Sequence, residues 1–451
     1  MADDYDVIVV GAGFAGATVA RECATRGLRT LVLEARDRVG GRTWTSALSD
    51  GELVELGGTY VHWSQPHTWS EISRYGLQGD VVPADEASDW ILVPKCPGLE
   101  WCAAEEYGAR EKLLFERVFE QSATVFPRPD DPLHAADAVA ELDQLSIRAR
   151  LDQLDLSPDD DALLSLLFGM DANDSVSEAS FLSLMRWWAA AGHSYDAMGV
   201  ALFGYQLAGG TGALIGAMLA DGGAELHLYA PVSRIASDAA GVEVTCDGGR
   251  SFSAPVAVVA TPSGVWPHLE FSPALSADRL EATGQGMQVA RGSKAFAVIK
   301  GETRRFAALP HAGHPIAAMR TSSIRSDDEQ LVVMSPGRAM RDAGDANEVR
   351  AAIEDLLPHV SVLEVLSTTY YEEDPFARGG WTMLKRGQLT RYAPHERFAQ
   401  PEGRVVFATS DIARLWCGFI DGAIESGLRA SRDVREILAR DMPVPDAPGA
   451  T

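Results

Sequence analysis

Cysteine is scarce in this chain, with five residues scattered singly over 451 positions. An odd and widely spaced set argues against a disulfide framework and indicates a reducing compartment. The sequence also has no apolar run near the ~20 residues that span a membrane. The first residues, Met1–Tyr5, show neither the basic nor the apolar part of a signal peptide. We therefore expect a cytoplasmic protein with no membrane partner.

Basic residues are also few. Lys and Arg number 39 against 64 Asp and Glu, which gives a formal net charge of −25. Such a chain repels phosphate backbones, so no nucleic-acid partner is expected, whereas a small cation is mildly attracted. No metal site is predicted, because the spacing of Cys96 and Cys102 matches no zinc signature and His62 and His67 have no third ligand nearby.

The N-terminus contains a β-α-β unit. The apolar run Asp6–Val10 predicts a buried strand, a glycine motif follows at 11–16, and a helical pattern leads to a second predicted strand, Thr30–Leu33. The first glycine permits a tight turn, the second lets the backbone approach a pyrophosphate, and the third lets helix and strand pack closely. Glu34, directly after the second strand, can accept hydrogen bonds from ribose hydroxyls. The unit predicts a dinucleotide site, and its glycines are Gly11, Gly13 and Gly16.

A glycine pair flanked by arginines lies just beyond the second strand. The stretch 34–43 reads Glu-Ala-Arg-Asp-Arg-Val-Gly-Gly-Arg-Thr, and its arginines supply donors and charge for a diphosphate. A nicotinamide dehydrogenase does not need this second site, whereas an extended flavin adenine dinucleotide (FAD) uses one. The N-terminal motifs therefore favour FAD as the cofactor.

Motifs spread over the whole chain resemble those of the flavin-containing amine oxidase family, which includes monoamine and polyamine oxidases. Several separated motifs in the same order are specific for the family and much less specific for the substrate. The aromatic-rich stretch 59–69 is further similar to bacterial oxidases of cyclic and nicotine-type amines. The matching segments are 7–20, 31–45, 56–61, 209–212, 231–232, 406–411 and 418–427.

The resemblance implies the amine oxidase fold. This is an α/β architecture in which a Rossmann-type FAD-binding domain is interleaved with an α+β substrate-binding domain that has a helical part. Segments typical of a nucleotide-binding domain alternate along the chain with segments of a different character, which favours such interleaving. The resemblance places the discontinuous FAD-binding domain at 1–80, 205–265 and 372–445. It places the substrate-binding domain at 81–204, which is expected to be largely helical, and at 266–371.

Carried over residue by residue, the resemblance also implies the cofactor contacts. Glu34 would hold the adenosine ribose, Val232 would contact the adenine, and Asp411 would match the acidic residue that binds the ribityl phosphate. The N-terminus of a helix near Gly418–Ala423 would point at the flavin. Besides the three glycines above, the implied FAD-binding residues are Ala15, Glu34, Ala35, Arg36, Gly40, Gly41, Arg42, Gly57, Gly58, Thr59, Val232, Asp411 and Ile420.

Three residues are implied as catalytic. Lys294 corresponds to the family's lysine that reaches the flavin through a water. Trp381 and Phe419 correspond to the two aromatic walls that frame the amine in front of the flavin. In some members the residue before the first wall is a cysteine bonded to the flavin. Here it is Gly380, so we predict non-covalent FAD.

The substrate cavity is expected to draw on the aromatic stretch and on one residue further along the chain. Tyr60, His62, Trp63 and Phe203 are the candidates, although His62 could equally satisfy a buried hydrogen bond. Amino-acid oxidases of this superfamily carry an arginine after the second glycine pair to hold a carboxylate, and 57–63 contains none. A small, largely apolar amine is therefore expected instead of an α-amino acid.

The implied activity is amine oxidation. Hydride passes from the α-carbon of the amine to N5 of FAD, the imine is hydrolysed to a carbonyl compound, and O2 is the expected acceptor, giving H2O2. Two alternatives stay open: an FAD-dependent desaturase or porphyrinogen-type oxidase, and an amine dehydrogenase that uses a protein electron acceptor. The resemblance is compatible with a homodimer.

Overall fold

The computed structural model describes residues 5–95, 98–172, 176–289, 291–311 and 313–441. Over these ranges the chain forms both strands and α-helices. The strands are β1 (Val7–Val10), β2 (Thr30–Leu33), β3 (Thr45–Ala47), β4 (Leu53–Glu55), β5 (Val81–Pro83), β6 (Trp90–Lys95), β7 (Gly98–Ala103), β8 (Tyr205–Leu207), β9 (Glu225–His227), β10 (Val232–Ser237), β11 (Val242–Cys246), β12 (Ser251–Ala254), β13 (Val256–Val259), β14 (Glu270–Ser272), β15 (Ala295–Lys300), β16 (Phe306–Ala308), β17 (Ile316–Ser326), β18 (Glu329–Pro336), β19 (Ser361–Ser367) and β20 (Val405–Phe407). The helices are α1 (Phe14–Ala24), α2 (Pro66–Arg74), α3 (Ala104–Val118), α4 (Ser122–Val125), α5 (Ala136–Leu142), α6 (Ile147–Asp152), α7 (Pro158–Asp171), α8 (Phe181–Ala190), α9 (Tyr195–Phe203), α10 (Gly210–Gly222), α11 (Ala277–Gln285), α12 (Ala346–Leu356), α13 (Gln388–Tyr392) and α14 (Ile420–Asp441).

The predicted β-α-β unit forms the centre of a parallel sheet. The strand order is β20-β13-β1-β2-β9, and every pairing in it is parallel. All residues of β1 and β2 are buried, which is typical of parallel strands covered on both faces. One face packs on apolar side chains of α1 and α14. The strand β2 lies on one side of β1, and β13 lies on the other. Because the connections that leave β1 and β13 run in opposite directions along the sheet, the carboxyl ends of these strands open a crevice for a ligand.

Two further large sheets and the strand pairs β3-β4 and β5-β8 complete the α/β architecture of the described residues. A seven-stranded mixed sheet has the order β19-β15-β18-β17-β16-β6-β7, and α12 packs on one face of it through Val349 and Ile353. A four-stranded sheet has the order β12-β11-β10-β14. The parallel sheet draws its strands from the segments expected to bind FAD. The four-stranded sheet includes β14, which lies beyond residue 265, the predicted end of the second FAD-binding segment. The domain boundaries themselves stay a prediction.

The expectation that 81–204 is largely helical needs a correction at its start. Helices α3 to α9 occupy most of 104–203, and aromatic side chains such as Phe119, Phe168 and Trp188 pack between them. Residues 81–103, however, contain β5, β6 and β7. The strand β6 is held in the seven-stranded sheet by parallel pairing with β16, where Trp90 lies opposite Phe306. Local periodicity in the sequence cannot predict pairing with a strand so far along the chain.

In the part of the chain that the structure describes, no helix combines the length and the apolar character that crossing a bilayer requires.

Candidate active site

One continuous cavity of about 690 Å³ extends from the carboxyl ends of the parallel sheet to the seven-stranded sheet. The structure brings most of the predicted site residues into its wall. From the nucleotide-binding set these are Gly11, Gly13, Ala15, Glu34, Ala35, Arg36, Gly40, Gly41, Arg42, Gly57, Gly58, Thr59, Val232 and Ile420. From the catalytic and substrate sets they are Tyr60, Phe203, Lys294, Trp381 and Phe419. Four predicted residues, Gly16, His62, Trp63 and Asp411, lie outside this wall.

At one end of the cavity the N-terminus of α1 forms an anion-binding cradle. The helix begins after Gly13 with no side-chain cap, and Gly13, Phe14 and Ala15 line the cavity. The N–H groups of a first helical turn lack intrahelical acceptors and lie at the positive end of the helix dipole. A Cβ built on Gly13 would come no nearer than 3.8 Å to an atom outside its chain neighbours, so the space beside it belongs to the cavity. This cradle fits a diphosphate.

Gly16 serves the fold instead of the cavity. A Cβ at this position would lie 1.9 Å from the carbonyl oxygen of Gly11 and 3.2 Å from Cβ of Ala260. Glycine is therefore required where α1 crosses the ends of β1 and β13. Its predicted role in close packing of helix and strand matches this geometry.

Glu34 is held in a fixed orientation at the same end. Its Oε2 accepts a hydrogen bond of 2.8 Å from the backbone N–H of Ala12, and its Oε1 accepts one of 2.9 Å from the N–H of Arg36. A carboxylate has about four acceptor positions, so two are left for ligand hydroxyls. Arg36 is fixed in turn by a 2.5 Å contact with Asp374. The arrangement fits the ribose of a dinucleotide.

Asp411 requires a correction. Its carboxylate is buried and accepts hydrogen bonds at 2.8 Å from Arg42 and Thr382, and at 2.8 and 2.9 Å from the backbone and side chain of Ser263. Burial alone would raise the pKa of Asp411, but Arg42 and these hydrogen bonds hold it below its usual value. With its oxygens so occupied, Asp411 positions Arg42, and Arg42 is the residue of the pair that lines the cavity.

Lys294 extends from the residue before β15 into the middle of the cavity. Its Nζ donates to the carbonyl oxygen of Gly57 at 3.0 Å and to Oγ1 of Thr59 at 2.5 Å. Burial lowers the pKa of Lys294 to about 8, and the positive charge of Arg320 acts in the same direction. Near neutral pH the amine is therefore mainly charged, and it loses its proton more easily than an ordinary lysine.

Neighbouring groups hold the two expected aromatic walls in place. Nε1 of Trp381 donates a 2.8 Å hydrogen bond to the carbonyl oxygen of Asp171. Phe419 packs edge-on against Trp187, with 5.5 Å between ring centroids, and against Trp416 at 5.3 Å. These partners fix both rings in advance of any ligand. An amine that enters the cavity meets preorganised apolar surfaces.

The prediction that His62 and Trp63 line the cavity is not met. The His62 ring lies 3.9 Å from the Trp63 ring, and its Nδ1 lies 2.7 Å from Oγ of Ser64. Trp63 is 52% exposed and packs against Tyr205 at 5.1 Å. The chain turns here into α2, and Trp63 lies at the outer surface, whereas the His62 ring is buried with 7% of its surface exposed. Among the described residues its Nε2 has no hydrogen-bond partner, so the alternative prediction for His62, a ring that satisfies a buried hydrogen bond, describes its Nδ1 alone.

Sequence reasoning missed a charged residue in the cavity wall, Arg320 on β17. Its Nε donates to Oδ2 of Asp85 at 2.7 Å, and its Nη2 donates to the hydroxyl of Tyr60. Tyr60 and Phe203 pack edge-on at 5.5 Å beside it. No local motif marks Arg320. The one signal is an arginine that follows the apolar and small residues at the start of β17, and strand alternation does not tell whether it faces solvent or a cavity.

Residues 14–435 match the model of a family described as flavin containing amine oxidoreductase. A relative named nicotine dehydrogenase, from Pseudomonas putida (strain DSM 28022 / S16), is 35% identical over 97% of this chain and 89% of its own length. The (S)-6-hydroxynicotine oxidase of Paenarthrobacter nicotinovorans is 29% identical over 94% and 97%. The solved structure of cyclohexylamine oxidase from Brevibacterium oxydans IH-35A has the same fold, with a TM-score of 0.76 and 20% identity over 97% of this chain and 100% of that one.

Proposed function

The chain belongs to the flavin-containing amine oxidoreductase family, its cofactor is FAD, and we propose that it oxidises a small, largely apolar amine at the carbon next to nitrogen. One observation carries the proposal. A single cavity joins the cradle at Gly13 and Glu34 to Lys294, Trp381 and Phe419. A cofactor that spans the cradle and a substrate between aromatic walls would therefore share one enclosed space.

FAD, when bound, takes up the hydride and its two electrons from the α-carbon and later delivers the electrons to an acceptor. The residues of the chain bind, orient and exclude water. Trp381 and Phe419 orient the amine in the cavity. The amine reacts as the neutral base, because the nitrogen lone pair must form the C=N bond as the hydride leaves. Water then adds to the iminium, which releases a carbonyl compound and an amine or ammonia. Lys294 supplies a positive charge or a proton at its Nζ.

We further propose that the FAD is held without a covalent bond. Gly380 occupies the position of the flavin-linked cysteine, and a Cβ there would lie 2.8 Å from Cγ2 of Val289. Cys417 is buried and donates to the carbonyl oxygen of Asp411 at 3.4 Å, away from the cavity wall. Acid precipitation should therefore release all of the flavin into the supernatant. Flavin that stays with the pellet would contradict a non-covalent site.

We propose O2 as the electron acceptor, supported by the buried cation at Lys294. A second candidate is an amine dehydrogenase with a protein acceptor, and the name of the 35% identical relative, nicotine dehydrogenase, favours it. The two differ in one measurable rate. Enzyme that has been reduced by an amine without air is mixed with O2, and reoxidation within a turnover time identifies an oxidase. Slow reoxidation that an artificial one-electron acceptor accelerates identifies a dehydrogenase.

The proposed function is tested by anaerobic addition of amines to the purified holoenzyme. The panel holds cycloalkyl, arylalkyl, nicotine-like and diamine compounds together with α-amino acids. We expect the visible bands of FAD to bleach with cyclic or arylalkyl monoamines and to persist with α-amino acids. The FAD bands could instead persist with every amine, although a chemical reductant bleaches them. That result would move the assignment to the desaturase or porphyrinogen-type class.

The cradle at α1 gives a prediction that separates cofactor binding from folding. Gly13→Ala should yield a folded protein that retains little FAD, because the new methyl enters the cavity where the backbone must approach the diphosphate. The matched variant Gly16→Ala should instead fold poorly, because its methyl overlaps Gly11. Flavin content per chain and the Tm of the apoproteins are the measurements. Full flavin content in folded Gly13→Ala would contradict the proposed cradle.

A further inference from the structure

Arg320 brings a partly unused hydrogen-bonding group into the substrate side of the cavity. The side chain rises from the middle of β17, opposite Val333 of β18, and keeps 28% of its surface accessible. Asp85 accepts from its Nε at 2.7 Å, and the hydroxyl of Tyr60 accepts from its Nη2. These two contacts fix the plane of the guanidinium group. Its position therefore does not depend on a ligand.

The guanidinium group has donors to spare. It carries five N–H bonds, and the two contacts above use one each on Nε and Nη2. In the described ranges of the chain, Nη1 donates to no protein acceptor, and Arg320 lines the cavity. An acceptor atom of a ligand would replace water on the remaining N–H groups, whose direction is already fixed. The resulting hydrogen bond would be charge-assisted and specific.

The charges around this part of the cavity oppose a second cation. Lys294, which also lines the cavity, is close enough for the positive charge of Arg320 to lower its pKa. Asp85, meanwhile, is already engaged by Arg320. A distal ammonium group would therefore find more repulsion than attraction here, although the protein as a whole is acidic.

We propose that Arg320, oriented by Asp85 and Tyr60, determines substrate choice by binding an acceptor oxygen on the part of the amine that does not react. Because the carboxylate of Asp85 balances the charge of Arg320, the preferred acceptor is a neutral carbonyl oxygen, ahead of a carboxylate. The same group selects against diamines. The inference rests on the proposed amine oxidation and extends it to the class of amine: a monoamine that carries a carbonyl group.

The experiment compares arylalkyl amines that differ only in the para substituent of the ring. The substituents are acetyl, isopropyl, carboxylate and aminomethyl, each made with an ethyl and a butyl chain between ring and amine. Rates of anaerobic flavin bleaching give the limiting rate and the apparent Kd for each amine. Calorimetry with the aryl methyl ketone that lacks the amine gives a binding constant independent of catalysis. We expect wild-type protein to prefer acetyl over isopropyl by about 10- to 100-fold, mainly in Kd.

Two variants and a control assign this preference to Arg320. Arg320→Met should lose most of the acetyl preference and accept the aminomethyl compound about 10-fold better relative to isopropyl. Asp85→Asn keeps the guanidinium group but removes its counter-charge, so the carboxylate compound should gain on the acetyl compound. Arg325→Met, on the same strand but outside the cavity wall, should preserve the wild-type order.

The outcomes separate this inference from the proposed function. No bleaching by any amine would contradict amine oxidation itself. Bleaching by all of the compounds with equal Kd for acetyl and isopropyl, at both chain lengths, would overturn the role of Arg320 and leave amine oxidation standing. An Arg320→Met variant that slows every compound equally would overturn that role as well. If Arg320→Met does not fold, Asp85→Asn decides, because an unchanged carboxylate-to-acetyl ratio in that variant contradicts a substrate contact at Arg320.

Discussion

Replacement of Lys294 by methionine is expected to slow the reaction of the reduced enzyme with O2 by about 100-fold while FAD stays bound. A positive charge in an enclosed cavity of low dielectric stabilises the negative charge that develops on oxygen. Methionine matches the length of the lysine stem and removes the charge. Stopped-flow reoxidation after anaerobic reduction measures the effect, and the flavin content of the purified variant shows that the site is intact.

The pH profile of the same reaction provides a second measurement. Because burial and Arg320 lower the pKa of Lys294 to about 8, the fast reaction should fade as the pH rises through that value and the amine loses its charge. Lys294→Met should show no such step. Lys300→Met is the matched control, since Lys300 ends β15, the strand that Lys294 precedes, is exposed and contacts Asp328 at 3.7 Å. Equal rates in Lys294→Met and wild type would remove Lys294 from the mechanism.

The second large effect is expected at Asp411. Asp411→Ala should lower the free energy of unfolding by about 3–5 kcal/mol, because it leaves the guanidinium group of Arg42 without its buried partner. The variant should also retain less FAD, since Arg42 lines the cavity and would no longer be held in place. Denaturant unfolding of the apoprotein measures the first effect separately from the second.

The pH dependence of stability has a definite sign. The folded state holds the pKa of Asp411 below its usual value, so this contribution is present above the ordinary aspartate pKa of about 4 and is lost as the pH falls through the folded value. Asp278→Ala is the control, because the exposed pair of Asp278 and Arg397, 3.7 Å apart, should contribute only about 0–1 kcal/mol. Equal losses in the two variants would show that the network at Asp411 is not coupled to folding.

Much of the fold could be predicted where the signal is local. The strands at β1 and β2 and the helix α1 after the glycine motif appear where the pattern of apolar residues and glycine predicts them. The amine oxidase fold inferred from separated motifs is confirmed by the family match and by the cyclohexylamine oxidase structure. The strands β6 and β7 escaped prediction because the strand that holds them in the sheet lies about 200 residues away.

The candidate site divides in the same way. Glu34, Lys294, Trp381 and Phe419 were identified by motif and lie in one cavity wall. Motif position did not show that Asp411 would be turned inwards to hold Arg42. The aromatic stretch predicted Tyr60 together with His62 and Trp63, yet only Tyr60 faces the cavity, because the chain turns between them.

The sequence by itself determined the cofactor class and the chemistry, since a diphosphate cradle, a ribose carboxylate and the order of the family motifs are properties of short segments. Only the tertiary structure decided which further side chains line the cavity. Arg320, Asp85 and Tyr60 come from separate segments, and their contact depends on how β17 packs beside residues 60 and 85. The substrate choice proposed for Arg320 rests on these contacts, and a local sequence pattern cannot predict contacts between residues so far apart in the chain.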